Sequence, residues 1–160
     1  MTSRPEVPQF GALLGPHIAS VSDEGRPAYL AGLERSAAAR YRAWAADLPE
    51  HAEALLECAK SEDEIADLIT ELFPVSAELQ AEIDASLPAA IKLYYDVFAP
   101  HSTMDQLYLQ SEAELQGAMA WVSMAEATDD PTAIEILERC TALERESSVV
   151  VQALLEAASA

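Results

Sequence analysis

Three histidines, two cysteines and five glycines in 160 residues leave little material for the commonest kinds of catalytic site. Cys58 and Cys140 lie far apart, each inside a helical pattern, so neither a disulfide framework nor zinc-ligand spacing is present and two reduced, buried thiols are expected. His17, His51 and His101 fall in an N-terminal arm or at helix starts, where they read as surface or capping residues. The glycines form no phosphate-cradling loop and no nucleophile stands beside a base, so hydrolase and nucleotide-binding readings find no support.

Positive charge is equally scarce. Nine Lys and Arg stand against 28 Asp and Glu, a formal charge of -19 that would repel a nucleic-acid backbone or an anionic membrane. No charge-free apolar run approaches the roughly 18 residues of a membrane helix, and the first residues lack the basic-then-apolar order of a signal peptide. A soluble, cytoplasmic protein is therefore expected. Aromatics make up 6% of the chain while hydrophobic residues make up 51%, an Ala- and Leu-rich balance that suits closely packed helices. The expected class is all-α, and the length fits one domain.

What is present is helical periodicity, interrupted by acids. From His51 to Phe73, Ala52, Leu55, Ala59, Glu62, Ala66, Ile69 and Phe73 recur at spacings of three and four and share one stripe. Glu62 is the one polar member. A carboxylate at mid-stripe must leave water and is penalised unless it is protonated, paired or bound to a metal.

Residues 1–26 carry Pro5, Pro8, Pro16, Gly11, Gly15 and Gly25, too many breakers for a regular helix, and read as an N-terminal arm. Phe10, Leu13, Leu14 and Ile18 give the arm enough apolar surface to lie on the bundle or on a second subunit, and a homodimer is the expected assembly. Residues 27–160 read as a single helical bundle domain. Its first helix, opened by Pro27, places Leu30, Leu33, Ala37, Tyr41 and Trp44 on a stripe that includes Glu34.

Pro49 and Pro74 bracket the helix that carries Glu62. The next one, capped by Ser76, runs to about Phe98 with a kink expected at Pro88 and no inward acid. The spacing of Thr103 and Gln106 predicts a capping box and a helix to about Ala127, with Tyr108, Glu112, Leu115, Met119 and Val122 on one stripe. Glu114 lies on the neighbouring stripe with Leu107, Ala118 and Trp121; Glu112 is favoured as the inward acid.

Asp130 and Pro131 mark the start of the last helix, whose stripe is Ala133, Leu137, Cys140, Glu144, Ser147, Val151 and Leu154. Laying this helix over the 51–73 segment puts Cys140 over Cys58, Glu144 over Glu62 and Glu146 over Glu64. Four long helices thus carry one core glutamate each, and the helix without one falls between the second and third of them, where a bundle with a long crossover needs its connection.

One inward glutamate on each of four helices in this order resembles the ferritin-like superfamily that includes the rubrerythrins. The resemblance spans about residues 27–157 and implies a four-helix bundle with a helical crossover. In that family the first and third bundle helices each give a Glu to two iron or manganese ions, while the second and fourth each give Glu-x-x-His. Carried over, this makes Glu34, Glu62, Glu112 and Glu144 the candidate metal ligands. Ile65 and Ser147 stand where the family has its two histidines, so the expected site is all carboxylate.

Three readings follow. A ferritin-like protein with a degenerate carboxylate site would bind a divalent metal, Fe, Mn or Mg, weakly or not at all, in a binding or structural role. A working dimetal oxidoreductase using glutamate ligands is the alternative. An acidic helical module that recognises another protein is the third.

Overall fold

The structure is a computed structural model and describes residues 3–160; residues 1 and 2 of the arm lie outside the described residues. It is helical throughout, with six α-helices and no strand among the described residues: α1 (Phe10–Ile18), α2 (Arg26–Asp47), α3 (Ala52–Leu72), α4 (Ala77–Phe98), α5 (Thr103–Glu126) and α6 (Pro131–Ser159). No helix among them is long and apolar enough to cross a membrane.

Local chemistry sets the ends of these helices. Pro27 occupies the first turn of α2, where a missing N–H costs nothing. Ser76 accepts from the Leu79 N–H at 3.1 Å and Asp130 accepts from the Thr132 N–H at 3.0 Å, as expected of both caps. The cap of α5 is Ser102, which accepts from the Asp105 N–H, and not the box drawn at Thr103 and Gln106. Ser102 wins because one residue earlier leaves its hydroxyl over the free N–H groups, while Gln106 turns inward to the Trp44 indole N–H at 2.9 Å. Pro88 sits inside α4 without ending it.

The arm is the main departure from expectation. Phe10–Ile18 is a helix despite Gly11, Gly15 and Pro16, because Phe10 and Leu14 stand one turn apart and both are buried against the rest of the chain. Phe10 stacks on Tyr94 of α4 with ring centroids 5.1 Å apart. Its N–H donates to the Gln116 side chain at 2.9 Å, and the Gln116 amide donates back to the Pro8 carbonyl. Tertiary contact has overridden weak propensity.

α2 packs along α3, α5 along α6, and α3 along α6. Arg42 meets Asp63 while Arg35 meets Asp67, so α2 and α3 run antiparallel; Cys58 lies near Ser147 and Glu64 near Arg139, so α3 and α6 do too. α4 lies against α2 and α1. The apolar core is divided lengthwise. Tyr41, Trp44, Leu55, Cys58, Leu107 and Val151 belong to one cluster, and Ala31, Ile65, Ile69, Trp121, Leu137 and Cys140 to another. Glu34, Glu62 and Glu144 fall between these two sets along their helices, so the interruption of each stripe is a single polar layer across the molecule.

Candidate metal centre

Three of the four helices that line this layer bring their carboxylates together. One oxygen each from Glu34, Glu62 and Glu144 lie within 4.8 Å of one another. Glu62 and Glu144 are 0% and 1% exposed, while Glu34 is half-buried and lines a cavity. All seven residues of the α6 stripe are buried, which fixes Glu144 inward. On α3, Leu55, Ala59, Ala66 and Ile69 are buried around Glu62 and fix it in the same way.

The fourth acid is Glu114, not Glu112. Glu114 is 2% exposed, whereas Glu112 is half-buried and outside the cluster. The stripe assigned to Glu112 is the outer flank of α5: Leu115 and Met119 are 39% and 56% exposed. Leu107, Ala118 and Trp121 carry the inner face, and Glu114 belongs to them.

Each acid meets a different supply of hydrogen bonds. Glu114 accepts from the Tyr41 hydroxyl at 2.6 Å and from the Gln110 amide at 2.7 Å through the same oxygen. Glu144 accepts from the Trp121 indole N–H at 2.8 Å. Glu62 has no partner for either oxygen among the described residues. A buried carboxylate with no donor costs several kcal/mol if it stays ionised.

That cost appears as raised pKa values. Burial pushes the Glu34 carboxyl up to about 7, reinforced by the charge of Glu114 and opposed by its contacts with Glu62 and Glu144 and by the charge of Arg40. Burial pushes Glu62 well above the usual carboxylate range, reinforced by the charges of Glu114, Glu144 and Glu34. Glu144 is driven the same way by burial and by Glu34, against the indole hydrogen bond, which favours its charge. Cys58 and Cys140 are free and buried, their thiols pushed up to about 12 chiefly by burial, which makes them poor nucleophiles.

Arg40 is the one buried basic side chain among the described residues, and it escaped the sequence reading. Its guanidinium donates to Ser36 and, at 3.0 Å, to the Gln110 carbonyl, and it lies over the rings of Tyr94 and Phe98 at 4.9 and 5.2 Å. Gln110 therefore relays the cation to Glu114. Burial lowers the Arg40 pKa, but an arginine keeps its charge. The signal was legible: Arg40 stands seven residues after Leu33 and four before Trp44, on the buried stripe. Arg35, by contrast, pairs with Asp63 and Asp67 at the surface.

Gly117 completes the geometry. A Cβ there would lie 2.6 Å from Oε1 of Glu144, so a larger residue would force that carboxylate to shift from where it accepts from Trp121. Between α2 and α5, and beneath α1, opens a cavity of about 200 Å³ lined mainly by apolar residues, with Glu34, Glu114, Glu144 and Arg40 among its lining. His17, His51 and His101 take no part in the layer, and Ile65 and Ser147 flank it without an imidazole. The Ser147 hydroxyl is buried and unpartnered among the described residues. Comparison with protein-family models, with curated proteins and with solved structures found no match.

Proposed function

We propose that the protein is a ferritin-like helical bundle whose core site is made of carboxylates and takes one hard divalent cation, with Mn²⁺ and Mg²⁺ the best suited, in a binding or structural role. In this reading α2, α3, α5 and α6 are the four bundle helices and α4 is the crossover. The observation that carries it is Glu62, buried beside Glu34 and Glu144 with neither oxygen partnered among the described residues. A bound divalent cation would satisfy both oxygens and relieve the mutual repulsion at once.

Donor type and spread support the choice of ion. Oxygens at roughly 2.1–2.5 Å from one divalent ion lie no more than about 5 Å apart, and the three carboxylates fall inside that span. Glu34, Glu62 and Glu144 would hold the ion. An all-oxygen set without imidazole suits Mg²⁺, Mn²⁺ and Ca²⁺ better than the metals that favour nitrogen ligands. Glu114, already supplied with two donors and with Arg40 behind Gln110, would stay outside as a charged neighbour.

The test is a calorimetric titration of the chelated protein with Mn²⁺, checked by electron paramagnetic resonance. One ion per chain is expected, and Glu62→Gln or Glu144→Gln should weaken binding by roughly tenfold or more. Wild-type binding no tighter than that of Glu62→Gln would sink the proposal. Two irons per chain with oxygen consumption would instead favour the dimetal oxidoreductase.

A further inference from the structure

We propose that the cavity beside the carboxylates receives a small organic ammonium ion, a primary amine with a compact apolar body of about one ring, whose head group sits among Glu34, Glu62 and Glu144. The proposal rests on reading these three acids as a cation site and adds a second class of cation that competes with metal for them.

A bare ion fills the space among the oxygens and leaves the cavity as it is. That cavity measures about 200 Å³ and is walled mainly by Leu14, Leu33, Ala37, Tyr94, Ala120 and Trp121. Apolar cavities of about 150 Å³ stay dry and accept a benzene-sized guest. An apolar body of that size is therefore what the walls select.

Charge selects the head group. The cavity lining carries Glu34, Glu114 and Glu144 against the single cation of Arg40. Arg40 is hydrogen-bonded toward Glu114 through Gln110; its charge acts on Glu34 and Glu62 only at a distance, and no cation among the described residues forms an ion pair with Glu34, Glu62 or Glu144. An anionic ligand would add to that repulsion, and a neutral one would leave it unrelieved.

Donor geometry agrees. An ammonium group has three donors, and three N–H···O bonds of about 2.8 Å spread tetrahedrally place their acceptors about 4.6 Å apart. The three glutamate oxygens lie within 4.8 Å of one another. Glu34 and Glu144 line the cavity; Glu62 does not, but one of its two oxygens, both unpartnered among the described residues, lies within 4.8 Å of theirs.

The full chain, chelated and at pH 8, is titrated in a calorimeter with benzylamine, benzyl alcohol and benzoate, and separately with Mn²⁺. Benzylamine is expected to bind one per chain, roughly tenfold or more tighter than the alcohol, with benzoate weakest of the three. Saturating Mn²⁺ should weaken the amine by a similar factor. Ala120→Leu from α5 and Leu14→Phe from α1 each fill the cavity, and either should weaken benzylamine roughly tenfold while leaving Mn²⁺ affinity unchanged. Two separate fillings keep the test alive if one variant fails to fold. An amine that binds no better than the alcohol, or that is indifferent to the filled cavity, overturns the proposal. Mn²⁺ binding without amine binding overturns it alone and spares the metal reading; amine binding without Mn²⁺ does the reverse.

Discussion

Glu62 carries the sharpest consequence at the scale of single residues, because it is buried, unpartnered and faced by three other acids. Replacing it with Gln removes one repelling charge and keeps the shape and a hydrogen-bonding amide. Glu62→Gln is expected to stabilise the chelated protein at pH 8 by roughly 1–3 kcal/mol, read as a rise in melting temperature over wild type. An unchanged melt would mean that the carboxyl is already neutral there. The pH dependence follows from the same group of acids. A carboxyl whose folded pKa is raised binds protons more tightly in the folded state, so its contribution is fully present below the unfolded pKa and fades as pH rises through the folded one. For Glu34 that window runs from 4.5 to about 7. Chelated wild type should therefore gain stability on going from pH 8 to pH 5, and Glu62→Gln should gain less; a flat profile for wild type would contradict a clustered set of acids. Glu34, Glu62 and Glu144 were legible in sequence because each breaks an otherwise apolar stripe. Glu114 was not singled out because α5 carries two flanking stripes of similar composition, and only the position of α6 decides which one is buried.

Among the elements, α5 and α6 approach through a contact that a single methyl group would spoil. Gly117 lies so close to Glu144 that an added Cβ must move the carboxylate, and the Trp121 indole N–H would then lose its acceptor. Gly117→Ala gains helix propensity of about 1 kcal/mol on an exposed helix, yet here a net loss of roughly 1–3 kcal/mol is expected, from the unpartnered indole and the displaced acid. A guanidinium chloride melt measures it, and a net gain would show that Glu144 swings aside at no cost. The sequence placed five of the six helices, since their stripes were long and their proline boundaries sharp. It missed α1 because Gly11, Gly15 and Pro16 argue locally against helix, while the favourable term, Phe10 and Leu14 closing on α4, is a tertiary contact that no local rule contains. The cap of α5 failed for a related reason: Ser102 and Thr103 are both competent caps, and Gln106 was claimed by Trp44.

For the whole molecule, the polar layer divides the core without being needed to form it. Each side of the layer has its own apolar cluster drawn from the same helices, so burial continues past the acids at both ends. The chelated protein should accordingly stay highly helical by circular dichroism and melt in one cooperative step; a largely unfolded apo-protein would mean that bound metal supplies folding energy. Added divalent ions should then raise the melting temperature, but with a net charge of -19 any cation will relieve long-range repulsion as well. The two effects differ in concentration scale. A site-bound ion stabilises in proportion to the logarithm of its concentration above the dissociation constant, whereas screening depends on ionic strength and falls off over about 10 Å at 0.1 M salt. Mn²⁺ at low millimolar concentration should raise the melting temperature well beyond a NaCl control of equal ionic strength, and Glu62→Gln should respond to the two salts alike. If wild type also fails to distinguish Mn²⁺ from Na⁺, the acids are sharing protons, and the charge of the molecule, not its core, sets its response to cations.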